Sequence, residues 1–522
     1  MKMNRAVVCL PLFLILFVTV VCYAQNDKVI TGRIVDVNTN DPVPYATIRV
    51  KNKTIGVVAN AEGDFNIPLW LESVGDTILV SCIGYTTTPF AFKQLSRETI
   101  TILHVKPAVT QLAEVVIRSK TRKLRQKGDP SAIGIVAHAI RSIPLNYPQT
   151  PYSYLGYYRD YQVREGNYIN LNEAIVDVFD KGFITNDQLQ TDIQLFEYKR
   201  NKDFPRDSTT EIPYDNKPNT YDKTKNKYIP NAVLFSYGGN ELSILRLHDA
   251  IRNFDKTSYS FVNVFSKNFI NNHQLRREED VFLDTLSLYC ISFESQYVAT
   301  GPTHFARGRI YIEKGNYGIH KLEYAVYNRT SRENELMYDI KVEYSRHGAN
   351  LYLNYISFNN FFKTQNDVDF KVIDFEYNPI MNAFVVSFNA PPNPVDLIDV
   401  GNYSIKQGEV VFGIKYVEKI EERKAAIFLD DAARDMMRKQ NDKISSDLAY
   451  TMNLRDVNNR ELDKHTVKAI NQFRELFVEE VHANESLQPD AAVIRKDVPL
   501  IKNVIRSSAP GEYWMNPPLL KR

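Results

Sequence analysis

The chain has 522 residues, 64 Lys and Arg against 62 Asp and Glu, a formal net charge of +2 and 44% hydrophobic residues. That length supplies two or three ordinary hydrophobic cores, and the near-neutral balance argues against a nucleic-acid partner, which would want a strongly basic face. Four cysteines in so long a chain do not make a disulfide framework.

Residues 1–24 carry Lys2 and Arg5, an apolar run from Ala6 to Val21, and then Cys22-Tyr23-Ala24. A short basic start, an apolar core and a small residue before Gln25 describe a secretory signal peptide cleaved after Ala24. The run is shorter than the roughly 20 residues of a spanning helix. Val20 and Val21 are bulky where a lipidation signal at Cys22 would want small residues, so type I cleavage is the expectation. Loss of Lys2 and Arg5 leaves 62 basic residues against 62 acidic ones. Cys9 and Cys22 leave with the leader. Cys82 and Cys290 then remain, in separate predicted domains, and are expected to be free.

Residues 28–117 hold short apolar runs punctuated by turns. Thr31-Gly32-Arg33-Ile34-Val35-Asp36 precedes a turn at Asn38-Thr39-Asn40-Asp41, and Pro42-Val43-Pro44-Tyr45-Ala46-Thr47-Ile48 follows. The turn Asn60-Ala61-Glu62-Gly63 leads into Asp64-Phe65-Asn66-Ile67-Pro68, and Val80-Ser81-Cys82-Ile83-Gly84-Tyr85 closes the set. Period-2 alternation with β-branched and aromatic residues predicts a small β-sandwich. Gly32–Asp36, Pro42–Ile48, Asn60–Phe65 and Val80–Tyr85 come in the order and spacing of the carboxypeptidase regulatory-like domain, which this stretch resembles. Leu112-Ala113-Glu114-Val115-Val116-Ile117 is similar to the tail that follows it. The resemblance implies a transthyretin-like (prealbumin-like) sandwich. It also implies an exported protein, since the module precedes TonB-dependent outer-membrane receptors and smaller exported proteins. It implies neither zinc binding nor peptide cleavage.

Residues 118–129 form a basic linker, with six Lys or Arg among residues 118–127. A solvated linker is the plain reading, and peripheral contact of residues 118–127 with an anionic membrane is the sharper one. Pro130 opens a helix with Ile133, Val136, Ala137 and Ile140 on one face. Tyr152, Tyr154, Tyr157, Tyr158, Tyr161 and Tyr168 crowd the strands that follow. They are expected as cross-strand packing, with a sugar-stacking platform as the alternative. Residues 197–231 are polar and aperiodic and are expected to be a disordered surface insertion.

From Val281 long strands alternate between an apolar and a polar face, which suits a large antiparallel sheet with a wet side. The whole of 130–400 is expected as one β-rich domain, its sheet able to curl into an open half-barrel. In architecture alone that resembles periplasmic lipid and lipoprotein carriers. Residues 420–522 are expected as a helical tail. Ile427, Phe428, Met436 and Met437 mark one amphipathic helix there, and Leu462, Val467, Ile470, Phe473, Phe477 and Val481 another. The fold class is mainly β with some α.

The tempting chemistry is His320-Lys321-Leu322-Glu323, the His-x-x-Glu spacing of zinc carboxypeptidases. In a strand these two side chains point to opposite faces and cannot share a metal. His482-Ala483-Asn484-Glu485 repeats the spacing without further partners. No hydrolase elbow, phosphate loop, dinucleotide fingerprint or paired-cysteine site is present. The sequence therefore assigns no catalytic, cofactor-binding or metal-binding residue and implies no cofactor. The expected function is that of a non-catalytic binding or docking protein at the periplasm or outer membrane. Its partner would be an envelope protein or an apolar or glycan ligand. The alternative is a hydrolase acting on glycans or peptides through carboxylates of the second domain.

Overall fold

The computed structural model describes residues 29–108, 130–208, 210, 241–256, 262, 264–300, 302–329, 335–365, 370–439, 448–464, 467–503 and 519. The predicted leader, the predicted basic linker, most of the predicted polar insertion and residues 511–518 lie outside them. Two compact units emerge: residues 1–362 with 470–522, and residues 363–469.

The first unit begins with the predicted sandwich. Its strands are β1 (Val29–Asp36), β2 (Thr47–Val50), β3 (Gly56–Val58), β4 (Asp64–Pro68), β5 (Thr77–Ser81), β6 (Thr88–Ala91) and β7 (Thr101–Val105). They form one sheet of order β4-β1-β7 and another of order β3-β2-β5-β6. Ile34, Ile48, Phe65 and Val80 from the two sheets meet in one buried core. The motif residues explain themselves locally. Gly63 has φ +73°, and a Cβ there would lie 2.7 Å from the Ile34 carbonyl oxygen. Asn60 Oδ1 accepts from the backbone N–H of Glu62 and Asp64 at 3.0 and 2.8 Å, which shapes that turn. Arg33 grips Asp64 through both Nε and Nη2, and the Tyr85 hydroxyl donates to Asp36 at 3.1 Å.

A large sheet follows. Its strands are β8 (Tyr152–Arg164), β9 (Asn167–Asp180), β10 (Asp192–Arg200), β11 (His273–Arg277), β12 (Val281–Leu283), β13 (Leu286–Ser295), β14 (His304–Glu313), β15 (Ile319–Asn328), β16 (Glu335–His347) and β17 (Asn350–Gln365). The second unit contributes β18 (Val372–Asn378), β19 (Ala383–Phe388), β20 (Tyr403–Gln407), β21 (Val410–Val411), β22 (Ile414–Glu421), β23 (Lys424–Leu429) and β24 (Leu448–Met452). The final strand, β25 (Val467–Ala483), returns to the large sheet, whose order is β10-β9-β8-β25-β17-β16-β15-β14-β13-β11, with β12 on β13. The sheet is open, with β10 and β11 at its ends. In the second unit, sheets of order β18-β19-β23-β22 and β21-β20-β24 share a core of Phe384, Phe388, Ile405 and Ile427. The helix Asp431–Lys439 adds Met437 to it.

The strand β25 corrects the expectation of a helix through Val467, Ile470, Phe473, Phe477 and Val481. Residues 474–479 are all buried, so neither face meets solvent. Arg474, Glu475 and Glu479 are buried among the apolar side chains, Glu475 on Arg159 at 2.6 Å, and no period of two shows in the sequence. Ile427 and Phe428 likewise belong to β23, and only Met436 and Met437 lie on a helix. The predicted insertion also starts later than 197. Residues 197–200 continue β10, and Asn201 donates its N–H to the Leu171 carbonyl at 2.9 Å.

Both faces of the sheet are covered at the β8 end. The helices Ala132–Arg141, Glu241–Leu247 and Phe265–Asn272 bury Ile135, Leu245 and Phe269 against one face. The sandwich lies on the other, where Leu155, Tyr157, Ile175, Phe196, Tyr355 and Phe477 join its core. Tyr45 stacks on Tyr355 with centroids 4.7 Å apart and planes at 11°. This double cover accounts for Tyr152, Tyr154, Tyr157 and Tyr158, whereas Tyr161 and Tyr168 pack with Leu171 and Phe204 in a smaller cluster; all six predicted tyrosines are at most 8% exposed. From β13 to β16 the sandwich-side face emerges, and the wet side predicted from alternation appears there.

Candidate functional site

Charged groups come together at several places among the described residues, and two of these places combine both signs at a cavity. The first is buried on the helix side of the sheet. Arg252 donates from Nε and Nη2 to the two oxygens of Asp180 at 2.8 and 2.9 Å, and Arg246 pairs with Asp187. Asp249 accepts from the Tyr344 hydroxyl at 2.6 Å and from the N–H of Ile251 and Arg252 at 3.0 and 2.9 Å. Burial raises the Asp249 carboxyl to about 6, whereas Arg246 and Arg252 hold Asp187 low against the same desolvation. Carboxylates driven apart in this way mark many active sites. The cavity between them measures only about 10 Å³, room for one water. The cluster is a lock that fastens residues 246–252 to β9 and β16.

His248 lies beside it, 2% exposed and stacked 3.9 Å from Phe358. Its Nδ1 has no hydrogen-bond partner among the described residues. Burial, with Arg474 adding to it, lowers its pKa to about 3. As pH falls below about 6.5 the unfolded chain takes up a proton that the folded chain refuses until about 3, so stability is lost across that window. His248→Phe should remove this loss. The stability advantage of wild type over the variant should shrink by about 1.4 kcal/mol per pH unit within the window. Urea titrations at pH 6.5 and 4.5 measure it, and an unchanged difference would refute the assignment.

The second place is an open groove of about 760 Å³ on the wet face of β11 and β13–β16. Strand register builds it. Arg276 faces Ser292, Ser292 faces Arg309, Arg309 faces Glu323 and Glu323 faces Lys341, one residue per strand across five strands. One pleat away run Gln274, Glu294, Arg307, Ala325 and Asp339. Gly308 keeps β14 close to β15, since a Cβ there would meet the Glu323 carbonyl oxygen at 1.9 Å. At one end Tyr327 stacks on Phe305 at 5.1 Å, with the Arg307 guanidinium 4.7 Å from the Tyr327 ring centre. At the other end the Lys341 ammonium lies 5.1 Å from the ring centre of Tyr45, so the sandwich borders the groove.

The structure separates the His-x-x-Glu pair. His320 Nε2 lies 3.1 Å from Glu313 Oε2, which also takes Arg346 at 2.7 Å. These partners hold the Glu313 carboxyl down at about 2, His320 contributing most. Glu323 pairs instead with Lys321 at 3.0 Å. His482 sits 3.8 Å from Glu480, while Glu485 accepts from Ser153 at 3.1 Å. Among the described residues no cluster of three or more His, Cys, Asp or Glu is arranged to hold a metal ion. Cys82 and Cys290 are free thiols. Sequence reasoning assigned none of the groove residues. Alternation in β14 and β15 was the available signal, but it could not say which strands stand side by side.

Among the described residues no helix is long and apolar enough to cross a membrane. No curated protein matches the sequence significantly. Three solved structures are similar over part of the fold. A LolA superfamily protein from Nitrosomonas europaea has 9% identity and a TM-score of 0.19, covering 44% of this chain and 86% of its own. A DUF1329 family protein from Desulfovibrio piger has 6% identity and a TM-score of 0.19, covering 44% and 87%. A domain from Vibrio parahaemolyticus, described as an outer membrane lipoprotein-sorting protein, has 8% identity and a TM-score of 0.18, covering 43% and 84%. Likeness this slight transfers no ligand. Residues 30–117 match the family model of the CarboxypepD_reg-like domain, and the rest of the chain matches none.

Proposed function

We propose that the chain is an exported, non-catalytic binding protein of the cell envelope whose ligand occupies the groove over β11 and β13–β16. The observation that carries this reading is the groove itself. It is open, has polar and charged walls, and stands on a rigid sheet at the edge of the regulatory-like sandwich. Binding sites favour such concavities with a few convergent polar groups. The sandwich shares its core with β8, β9, β10, β17 and β25 and touches the groove strand β16 through Lys341 on Tyr45. A site preformed on a hydrogen-bonded sheet lowers the entropic cost of binding. Native mass spectrometry of the full chain purified gently from the envelope tests the reading. A retained ligand mass is expected for wild type and should be lost in Ala325→Trp, which fills the groove from its floor. A clean mass for wild type, or the same mass in both proteins, would overturn it.

A second reading, hydrolysis of a glycan, has one observation in its favour. Glu323 and Asp339 lie on neighbouring strands and shift in opposite directions. Burial would raise Glu323, but Lys321 at 3.0 Å holds it low, and burial raises Asp339 despite Lys341 at 3.8 Å. Binding is preferred because both carboxylates are already engaged, Asp339 by the Asn359 amide at 3.2 Å. Release of reducing ends from a glycan by wild type, abolished in both Glu323→Gln and Asp339→Asn, would favour the hydrolase.

A further inference from the structure

We infer that the groove's ligand is an acidic glycan, a saccharide chain bearing carboxylate or equivalent anionic groups. This rests on the reading of the groove as a binding site. Neighbouring strands stand about 4.8 Å apart, so the register row places Arg276, Arg309 and Lys341 at intervals of roughly 10 Å along a line. Arg276 and Arg309 are exposed, and neither side chain has a hydrogen bond or ion pair to another described residue. Their planar forks match a carboxylate, sulfate or phosphate in bidentate fashion. Between the cations in the row stand Ser292 and Glu323, and Glu294 lies one pleat away; the Ser292 and Glu294 oxygens accept from sugar hydroxyl groups. The wall of Tyr327 and Phe305, stacked on each other and flanked by the Arg307 and Arg329 guanidinium groups at 4.7 and 5.2 Å from the ring centres, packs against the C–H face of a ring. A ligand that needs spaced anions, many hydroxyl donors and one stacking face is an acidic sugar chain. A nucleic acid or a lipid surface would want an unbroken basic face, and Glu294, Glu323 and Asp339 break this one.

The test is calorimetric titration of the full chain with a galacturonic acid hexamer, with its methyl ester and with phosphatidylglycerol vesicles. The ester keeps every ring and removes every charge. The acid is expected to bind saturably and at least tenfold more tightly than the ester. The double variant Arg276→Gln, Arg309→Gln should bring the acid to the affinity of the ester and leave the ester and the melting temperature unchanged. Tyr327→Ala should weaken both sugars. Equal affinity for acid and ester, or wild-type binding by the double variant, would overturn the inference. Vesicle binding with the same arginine dependence would assign the row to a lipid surface and overturn it too. If neither sugar binds, the glycan assignment fails, while a retained mass lost in Ala325→Trp would leave the binding reading standing.

Discussion

Replacing Arg252 by leucine should lower the unfolding free energy of the first unit by about 3–5 kcal/mol, the usual cost of stranding one partner of a buried ion pair. Arg252 and Asp180 are 5% and 2% exposed at their side chains. Besides the two bonds to Asp180, the guanidinium donates to the carbonyls of Thr185 and Gly182 at 3.0 Å. Without it, among the described residues, the Asp180 carboxylate keeps the Tyr152 hydroxyl at 3.1 Å and the Gly182 N–H at 2.8 Å as hydrogen-bond donors. Removing both charges in Arg252→Met, Asp180→Leu should recover much of the loss, because the penalty lies in the uncompensated charge. A urea double-mutant cycle measures the coupling. Additive losses from the two single variants would show that the pair is not the lock described here.

The second large effect is expected at the seam between sandwich and sheet. Tyr355→Ala removes a side chain with no solvent exposure that stacks on Tyr45 inside the shared core. Truncation of a buried aromatic costs about 3–5 kcal/mol. Here the cavity opens between two substructures, so the loss should appear as uncoupling. Wild type should show one cooperative transition for the sandwich and its sheet. The variant should show the sandwich amides exchanging hydrogen ahead of those in β8 and β9. Simultaneous exchange of both sets in the variant would mean that Asn354, which bonds Thr47 at 2.8 Å and Arg49 at 3.0 Å, suffices to hold the seam.

The sandwich was legible because its rules are local. A positive φ at Gly63, an Asn turn three residues earlier and alternating apolar runs each act within a few residues of themselves. The wet face of β13–β16 was legible for the same reason, since one side meets solvent and the period of two survives. The strand β25 was not. Its partner across Gln472 is Gln162, 310 positions away, and cover on both faces erases the alternation that would have betrayed a strand. Its spacing of Ile470, Phe473 and Phe477 then imitates a helix.

The candidate site divides in the same way. The amino-acid sequence alone determined the export expectation, the regulatory-like module, the strand character of the second domain and the opposition of His320 and Glu323. Each follows from propensity, periodicity or a short motif. Only the tertiary structure decided that Arg276, Arg309 and Lys341 form one row, because register between β11, β13, β14, β15 and β16 is set by long-range pairing and by the sandwich resting at the row's end. Chain order places a side chain on a face, but packing against distant strands chooses its neighbours.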